Sequence, residues 1–226
     1  MNLTNVKQNK KGRNTMKPIL FNSDMVRAIL AGKKTQTRRV CKVSSSTMNI
    51  ESKDCASVVY PSSNLWGICA DFYDKEGFWL GAGKPKHQPG DILYVRETFG
   101  YGYYAAFGPE VFYKADYPNG KPDFVVKWRP SIHMPKEAAR IFLRVTNIRV
   151  ERLQNIQSMD AIAEGAEAEW HQNDCGDAIY TKTPIDTFAE IWDKTIKPGD
   201  LDRYGWPANP WVWVIEFERI EKEKTE

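Results

Sequence analysis

The chain lacks the long apolar runs that a membrane-spanning helix requires. Its 226 residues include no stretch of eighteen consecutive apolar residues, whereas about 20 are needed to cross a bilayer. The polar, basic N-terminus also lacks the apolar segment of a secretory signal peptide. We therefore expect no contact with a membrane and a cytoplasmic location.

Paired metal-ligand motifs are also missing. The four cysteines form no Cys-x-x-Cys pair; they are Cys41, Cys55, Cys69 and Cys175. His171 and Cys175 have a ligand-like spacing, but no second pair accompanies them, and structural zinc sites use four clustered ligands. The sequence therefore predicts free thiols in a reducing compartment, with no metal and no cofactor.

The charge balance is nearly neutral. Lys and Arg total 32 against 29 Asp and Glu, which gives a net charge of +3. Tight binding to long nucleic acid needs a denser cationic surface, so this balance slightly favours a small ligand. The cations are nevertheless clustered, because residues 7–18 and residues 33–42 each hold five of them and no acid.

Short strands and turns dominate the pattern of the chain. Residues 1–15 are polar and aperiodic and predict a disordered basic tail. We expect helices from Ser23 to Gly32, from Ser158 to Glu164 and from Thr183-Pro184 onward. Strands are predicted at 18–21, 35–40, 92–99, 140–150 and 211–218, hairpins within 66–79 and 111–128, a long loop at 43–65 and a turn at 81–84. With no βαβ alternation and no repeat, the fold class is α+β, mainly β: a small β-barrel with peripheral short helices.

Glu97 is a carboxylate in an apolar setting. Alternation along residues 92–99 places it on the same face as Leu93, Val95 and Phe99. An ionised carboxylate there needs a partner. Two interpretations stay open, a salt bridge to an arginine that holds the sheet together and a role in a binding site.

Residues 99–113 carry seven aromatic side chains. Such a concentration is typical of a platform on which RNA bases stack. It is equally typical of the edge of a β-sheet core, which is the commoner case.

Four cations and two hydroxyl groups are concentrated in one segment at a predicted helix-to-strand junction. The segment is Ala31-Gly32-Lys33-Lys34-Thr35-Gln36-Thr37-Arg38-Arg39. A lysine close to other cations and partly desolvated has a lowered pKa. Neutral Lys34 could take a proton from Thr37 and make its hydroxyl a nucleophile. The alternative is a solvated basic turn in which neither side chain has a chemical role.

Four motifs in order resemble the ASCH superfamily. They are Gly32 to Arg39, Gly90-Asp91-Ile92-Leu93-Tyr94-Val95-Arg96-Glu97-Thr98, Arg129-Pro130-Ser131-Ile132-His133-Met134-Pro135 with Arg140-Ile141, and Asn209-Pro210-Trp211-Val212-Trp213-Val214. The third and fourth resemble phage and prophage members. The resemblance implies a PUA-like β-barrel over residues 16–226 as a single domain, with insertions near 43–88 and 166–182.

One ASCH branch hydrolyses N(4)-acetylcytidine, and its catalytic residues would correspond to Lys34, Thr37 and Glu164. In that scheme Thr37 attacks the acyl carbon, Glu164 serves the leaving amine, and Arg39 holds a phosphate or carboxylate. No metal is required.

Three further residues are candidates for binding the substrate. Glu97 has the two interpretations given above. His133 could line the pocket or be a hydrogen-bonded core histidine, and Asn209 could bind a base edge or cap a turn.

Three functions follow from the resemblance. The first is an amidohydrolase acting on an acylated cytidine-like nucleoside. The second is a non-catalytic module that binds RNA or a modified base, and the third is a nuclease acting on single-stranded RNA. The chain is longer than the small amidohydrolases, so its pocket is expected to differ from theirs.

Overall fold

A computed structural model describes residues 16–44, 51–64, 67–104, 108–173 and 175–221. The predicted tail at 1–15 lies outside these residues. The described strands are β1 (Lys17–Leu20), β2 (Gln36–Val40), β3 (Ser57–Asn64), β4 (Gly67–Tyr73), β5 (Trp79–Gly83), β6 (Ile92–Arg96), β7 (Phe99–Tyr104), β8 (Gly108–Tyr113), β9 (Val125–Arg129), β10 (Phe142–Arg152), β11 (Glu169–Gln172), β12 (Ala178–Lys182) and β13 (Trp211–Ile220). The α-helices are α1 (Ser23–Leu30), α2 (Ser158–Ala163), α3 (Pro184–Thr195) and α4 (Leu201–Tyr204). Short 3-10 turns connect several of these elements, and the mainly β class with short helices agrees with the prediction.

The central sheet has five strands in the order β1-β6-β10-β13-β2. Strands β1 and β6 are parallel, and the other neighbours are antiparallel. Strand β13 is buried on both faces. Its Trp213, Ile215 and Phe217 pack into the main core, while Val212 and Val214 pack against α3 in a second core. Helices therefore cover the side of β13 that faces away from the main core.

The central sheet curls so that its two edge strands approach each other. Arg39 of β2 donates from Nη2 to the carbonyl oxygen of Leu20 in β1 at 3.1 Å. Within the described residues no backbone hydrogen bonds of a sheet join β1 to β2, so the sheet stays open between these two edge strands. The barrel expected from the sequence is thus not seen to close.

Two three-stranded sheets flank the central one, in the orders β3-β4-β5 and β8-β7-β9. Three predictions were wrong here. Residues 57–64 form a strand rather than part of a loop, residues 81–83 belong to β5 rather than to a turn, and β8 and β9 do not pair with each other. Strand β7 lies between them, and a Cβ at Gly102 would lie 2.5 Å from the carbonyl oxygen of Phe124. Glycine therefore permits a close approach that hairpin patterns do not reveal.

The helix ends were predicted more accurately. Helix α3 begins at Pro184 as predicted, and Thr183 caps it in a complete capping box with Asp186. Asn22 rather than Ser23 caps α1, since its side chain accepts from the Met25 amide. Within the described residues no helix has the length and apolarity to cross a membrane.

Candidate functional site

A buried ion pair joins the two ends of the candidate site. The Nζ of Lys34 donates to Oε2 of Glu164 at 2.6 Å, to the Glu164 carbonyl at 2.9 Å and to the Gln36 carbonyl at 2.7 Å. Lys34 is 2% exposed and Glu164 is 6% exposed. An ammonium group has three N–H donors, so every donor of Lys34 has an acceptor inside the protein.

Two chain reversals bring these side chains together. The amide of Lys34 donates to the Ala28 carbonyl as α1 ends, and the amide of Thr35 donates to the Ala163 carbonyl at 2.9 Å. Gly165, which follows α2, has φ +89, and a Cβ there would lie 3.0 Å from the Ala28 Cβ. A larger residue would push the end of α2 away from α1 and move Glu164 away from Lys34.

The charge state of Lys34 is set by two opposing effects. Burial lowers the pKa of Lys34, the carboxylate of Glu164 opposes that shift, and the cations Arg39 and Arg38 add to it. A neutral amine has only two N–H donors and would leave one of the three acceptors unpaired, which costs about 1–3 kcal/mol in a buried setting. In this geometry Lys34 is therefore an ammonium group rather than a base.

Arg38 extends the ion pair into a network. It is 1% exposed, and it donates to Oε1 of Glu164 at 3.1 Å and to Glu151 at 2.5 Å. Arg149 contacts the same Glu151 and also Asp160. Burial raises the pKa of Asp160, but the hydrogen bond from Gln36 and the nearby arginines outweigh it and hold that pKa below its ordinary value. The network keeps the Glu164 carboxylate in a single position.

Thr37 lies in one cluster with Lys34, Arg38, Arg39 and Glu164, but its hydroxyl has a different hydrogen-bond partner. Its Oγ1 accepts from Nη1 of Arg39 at 2.8 Å. Among the described contacts no hydrogen bond joins Thr37 to Lys34, whose donors are all engaged elsewhere. The structure therefore brings Lys34, Thr37 and Glu164 into one cluster without the lysine-to-threonine contact that activation of the hydroxyl requires.

Two cavities adjoin the cluster. The inner cavity, of about 30 Å³, is lined by Met25, Thr37, Arg38, Arg39, Glu164, Phe188, Ile191, Trp192 and Thr195. The outer cavity, of about 290 Å³, is lined by Asn22, Asp24, Met25, Ala28, Glu164, Gly165, Ile191 and Lys194. The inner cavity has room for about one water molecule. The outer one is roughly as large as a small ligand site, and Glu164 lines both.

A third space lies on the far side of Arg39, where β1 approaches β2. This basic cleft has a volume of about 480 Å³ and is lined by Pro18, Ile19, Leu20, Arg39, Val40, Lys42, Lys84, Lys86, His87, Trp213 and Ile215. Two segments of the sequence contribute its cations, namely residues 33–42 and Gly81-Ala82-Gly83-Lys84. The sequence predicts a turn at 81–84, so Lys84, Lys86 and His87 are not among the predicted site residues.

Glu97 lies in a separate ion pair rather than in this cluster. Arg140 donates to its two oxygens at 2.9 Å and 3.1 Å and also pairs with Asp116. Burial raises the pKa of Glu97 even though Arg140 opposes the shift. The geometry fits the interpretation of Glu97 as a structural carboxylate.

His133 and Asn209 are not brought to the cluster either. His133 is exposed within a short 3-10 turn. Asn209 adopts a left-handed conformation with φ 45, and its Oδ1 accepts from the Gln154 amide at 2.8 Å. Neither residue lines the three spaces described above, and Asn209 stabilises the turn before β13, the second of its two interpretations.

The described residues include no group of three or more His, Cys, Asp or Glu side chains placed to hold a metal ion. Cys41, Cys55 and Cys69 are buried, and Cys175 is exposed.

No protein-family model, curated protein or solved structure matches this chain. The ASCH assignment accordingly stays a prediction from the four motifs.

Lys34→Met should cost roughly 3–5 kcal/mol of unfolding free energy, because it leaves a buried carboxylate without its main partner. The double variant Lys34→Met/Glu164→Gln should lose less than the sum of the two single variants. Urea unfolding followed by circular dichroism measures all three. Lys33→Met is the matched control, since its partner Glu167 lies on the surface and such pairs contribute under about 1 kcal/mol. Equal costs for Lys33→Met and Lys34→Met would contradict a buried, coupled pair.

His87 should make folding sensitive to acid. Burial, assisted by Lys86, lowers the pKa of His87 from 6.5 to about 4, and nearby Asp91 only partly opposes this shift. Because the unfolded chain binds the proton first, the stabilisation is complete above about pH 6.5 and is lost as the pH falls towards 4, a change of about 2–3 kcal/mol. Urea unfolding from neutral to acid pH should show a smaller loss in His87→Phe than in the unmodified chain. A pH profile in His87→Phe identical to that of the unmodified chain would refute this account.

Proposed function

We propose that this protein is a PUA-like ASCH protein that binds a nucleoside or an RNA base in the outer cavity. The observation that carries the proposal is that Glu164, whose carboxylate is held by two cations, lines that cavity. Lys34 and Arg38 each bond one of its oxygens, so its orientation is set before a ligand arrives. Preorganised polar groups of this kind reduce the ordering cost of binding.

A carboxylate in this position recognises an amino group on a base. Glu and Asp side chains accept a hydrogen bond from the exocyclic N4 amine of cytosine, and a well-formed pair discriminates by about 1–3 kcal/mol. Each oxygen of Glu164 keeps a lone pair beyond the one it gives to Lys34 or Arg38. A cytidine-like base therefore fits the chemistry better than uridine, which presents a carbonyl group at the same place.

The surroundings of the cavity suit an uncharged ring. Met25, Ala28 and Ile191 supply apolar contact, while Asp24 and Lys194 supply one charge of each sign. The nearly neutral charge of the chain also favours a small ligand over long nucleic acid. The four ASCH-like motifs support the same conclusion independently, through the family to which they point.

Calorimetric titration should detect cytidine binding and at least about tenfold weaker binding of uridine. Glu164→Gln should remove that preference, with circular dichroism used to confirm that the variant folds. Lys194→Trp crowds the outer cavity from α3 without touching the ion pair and should weaken cytidine binding. Lys197→Trp makes the same change at an exposed position outside the cavity and should not. Unchanged cytidine binding in Lys194→Trp would show that the base does not occupy this cavity.

Amide hydrolysis is the second candidate, because Thr37 and Glu164 both line the inner cavity. In this reaction the Thr37 oxygen attacks the acyl carbon while Lys34 takes the hydroxyl proton. The bond from carbon to N4 then breaks as Glu164 relays this proton from Lys34 to the departing amine. Water next attacks the Thr37 ester, which releases the acyl group as a carboxylic acid and returns a proton to the Thr37 oxygen. Lys34 must first lose one of its three hydrogen bonds and its proton, so binding must rearrange the cluster.

An assay of N(4)-acetylcytidine separates the two candidates. A hydrolase should release acetate, and Thr37→Ala and Lys34→Ala should each lower kcat by about 100-fold or more. Lys33→Ala is the control and should leave the rate unchanged. Binding of cytidine without turnover of any acylated cytidine would support the binding function alone.

A further inference from the structure

The basic cleft has the charge of an anion site. Four of its lining residues are basic, namely Arg39, Lys42, Lys84 and Lys86, and no acidic residue is among its lining residues. Lys42 and Lys86 form no salt bridge with any carboxylate in the described part of the chain. Asp91, the acid that acts on His87, is paired with Lys17 at 2.5 Å. Positive charge within a concave, partly apolar wall attracts anions strongly.

Arg39 presents a fixed cation at the floor of this cleft. Nη1 donates to Thr37 Oγ1 and to the Arg38 carbonyl, and Nη2 donates to the Leu20 carbonyl. The guanidinium carbon lies 5.5 Å from the centre of the Phe21 ring. Three of its five N–H groups are thus used to hold it in place. The other two have no protein acceptor within the described chain, and a planar guanidinium suits phosphate or carboxylate.

His87 provides a second, independent indication of a ligand. It is only 4% exposed, and its buried Nδ1 has no hydrogen-bond partner. A buried polar atom left unpaired costs about 1–3 kcal/mol, so such atoms are uncommon unless they have a function. A polar ligand group in the cleft would supply the missing partner.

The remaining wall is apolar and comes from three strands. Pro18 and Leu20 of β1, Val40 of β2 and Ile215 of β13 line it together with Trp213. Cations on one side and apolar contacts on the other suit an amphiphilic molecule with an anionic end. The volume of about 480 Å³ falls within the range of small-molecule sites.

We propose that the basic cleft binds a small phosphorylated ligand, with its phosphate groups held by Arg39, Lys42, Lys84 and Lys86. His87 contacts a polar atom of the ligand, and its organic part lies along the strands. The cleft and the outer cavity share no lining residue, so the phosphate site does not depend on the base-binding function.

Calorimetric titration with inorganic pyrophosphate tests this site. At about 50 mM salt, one pyrophosphate should bind per chain, and raising the salt to about 200 mM should weaken binding. Lys42→Ala/Lys86→Ala should weaken binding about tenfold or more. Lys75→Ala/Lys127→Ala removes the same charge outside the cleft and is the matched control. His87→Phe leaves the net charge unchanged at pH 7.5, so weaker binding in that variant reflects a lost contact rather than lost charge.

Three outcomes would overturn the proposal. The first is the absence of saturable pyrophosphate binding, and the second is an equal loss of affinity in the control pair. The third is binding of a single-stranded RNA of about ten nucleotides that Lys42→Ala/Lys86→Ala abolishes and saturating pyrophosphate does not displace, since that would assign the lysines to a polymer backbone. Displacement of the RNA by pyrophosphate would instead support the site.

Discussion

The buried ion pair between Lys34 and Glu164 is the constraint on which the rest of the site depends. It joins residues 130 positions apart in the sequence, and it fixes the turn after α1 against the end of α2. Removing two charges from water is costly, and attraction alone seldom offsets that cost. Here the three acceptors of Lys34 and the second cation, Arg38, satisfy both charged groups. The pair is tolerated because every donor of Lys34 has an acceptor and both oxygens of Glu164 accept a hydrogen bond.

This cluster lies between two spaces of different character. On one side Glu164 offers a fixed acceptor to a cavity with mixed walls. On the other side Arg39, anchored through Thr37, offers a fixed cation to a basic cleft. Because Thr37 and Arg38 are adjacent on β2, a ligand that displaces Arg39 would also disturb the partner of Glu164. The shared strand gives a physical route by which the two spaces could influence each other.

The sequence predicts those parts of the fold that depend on contacts between residues close to each other in the chain. The start of α3 at Thr183-Pro184 and the glycine after Glu164 mark helix ends through contacts within a few residues, so they could be predicted. Glu164 itself was reached through resemblance, because no local signal connects it to Lys34. The position of β7 between β8 and β9 could not be predicted, since it depends on close approach at Gly102 from a distant segment. The basic cleft was missed for the same reason: its walls come from β1, β2, β13 and residues 84–87.

The protonation state of Lys34 decides between the two functions considered for the cluster. An ammonium group with three acceptors holds Glu164 as an ionised acceptor, which is what recognition of an amino group needs. A hydrolase needs the opposite arrangement, a neutral Lys34 directed at Thr37. Burial lowers the pKa of Lys34, but losing the proton would also leave one buried acceptor unpaired, at about 1–3 kcal/mol. A substrate must offset that cost to switch the site from binding to catalysis. Recognition of a base requires no such rearrangement, and the geometry of the free protein therefore favours binding.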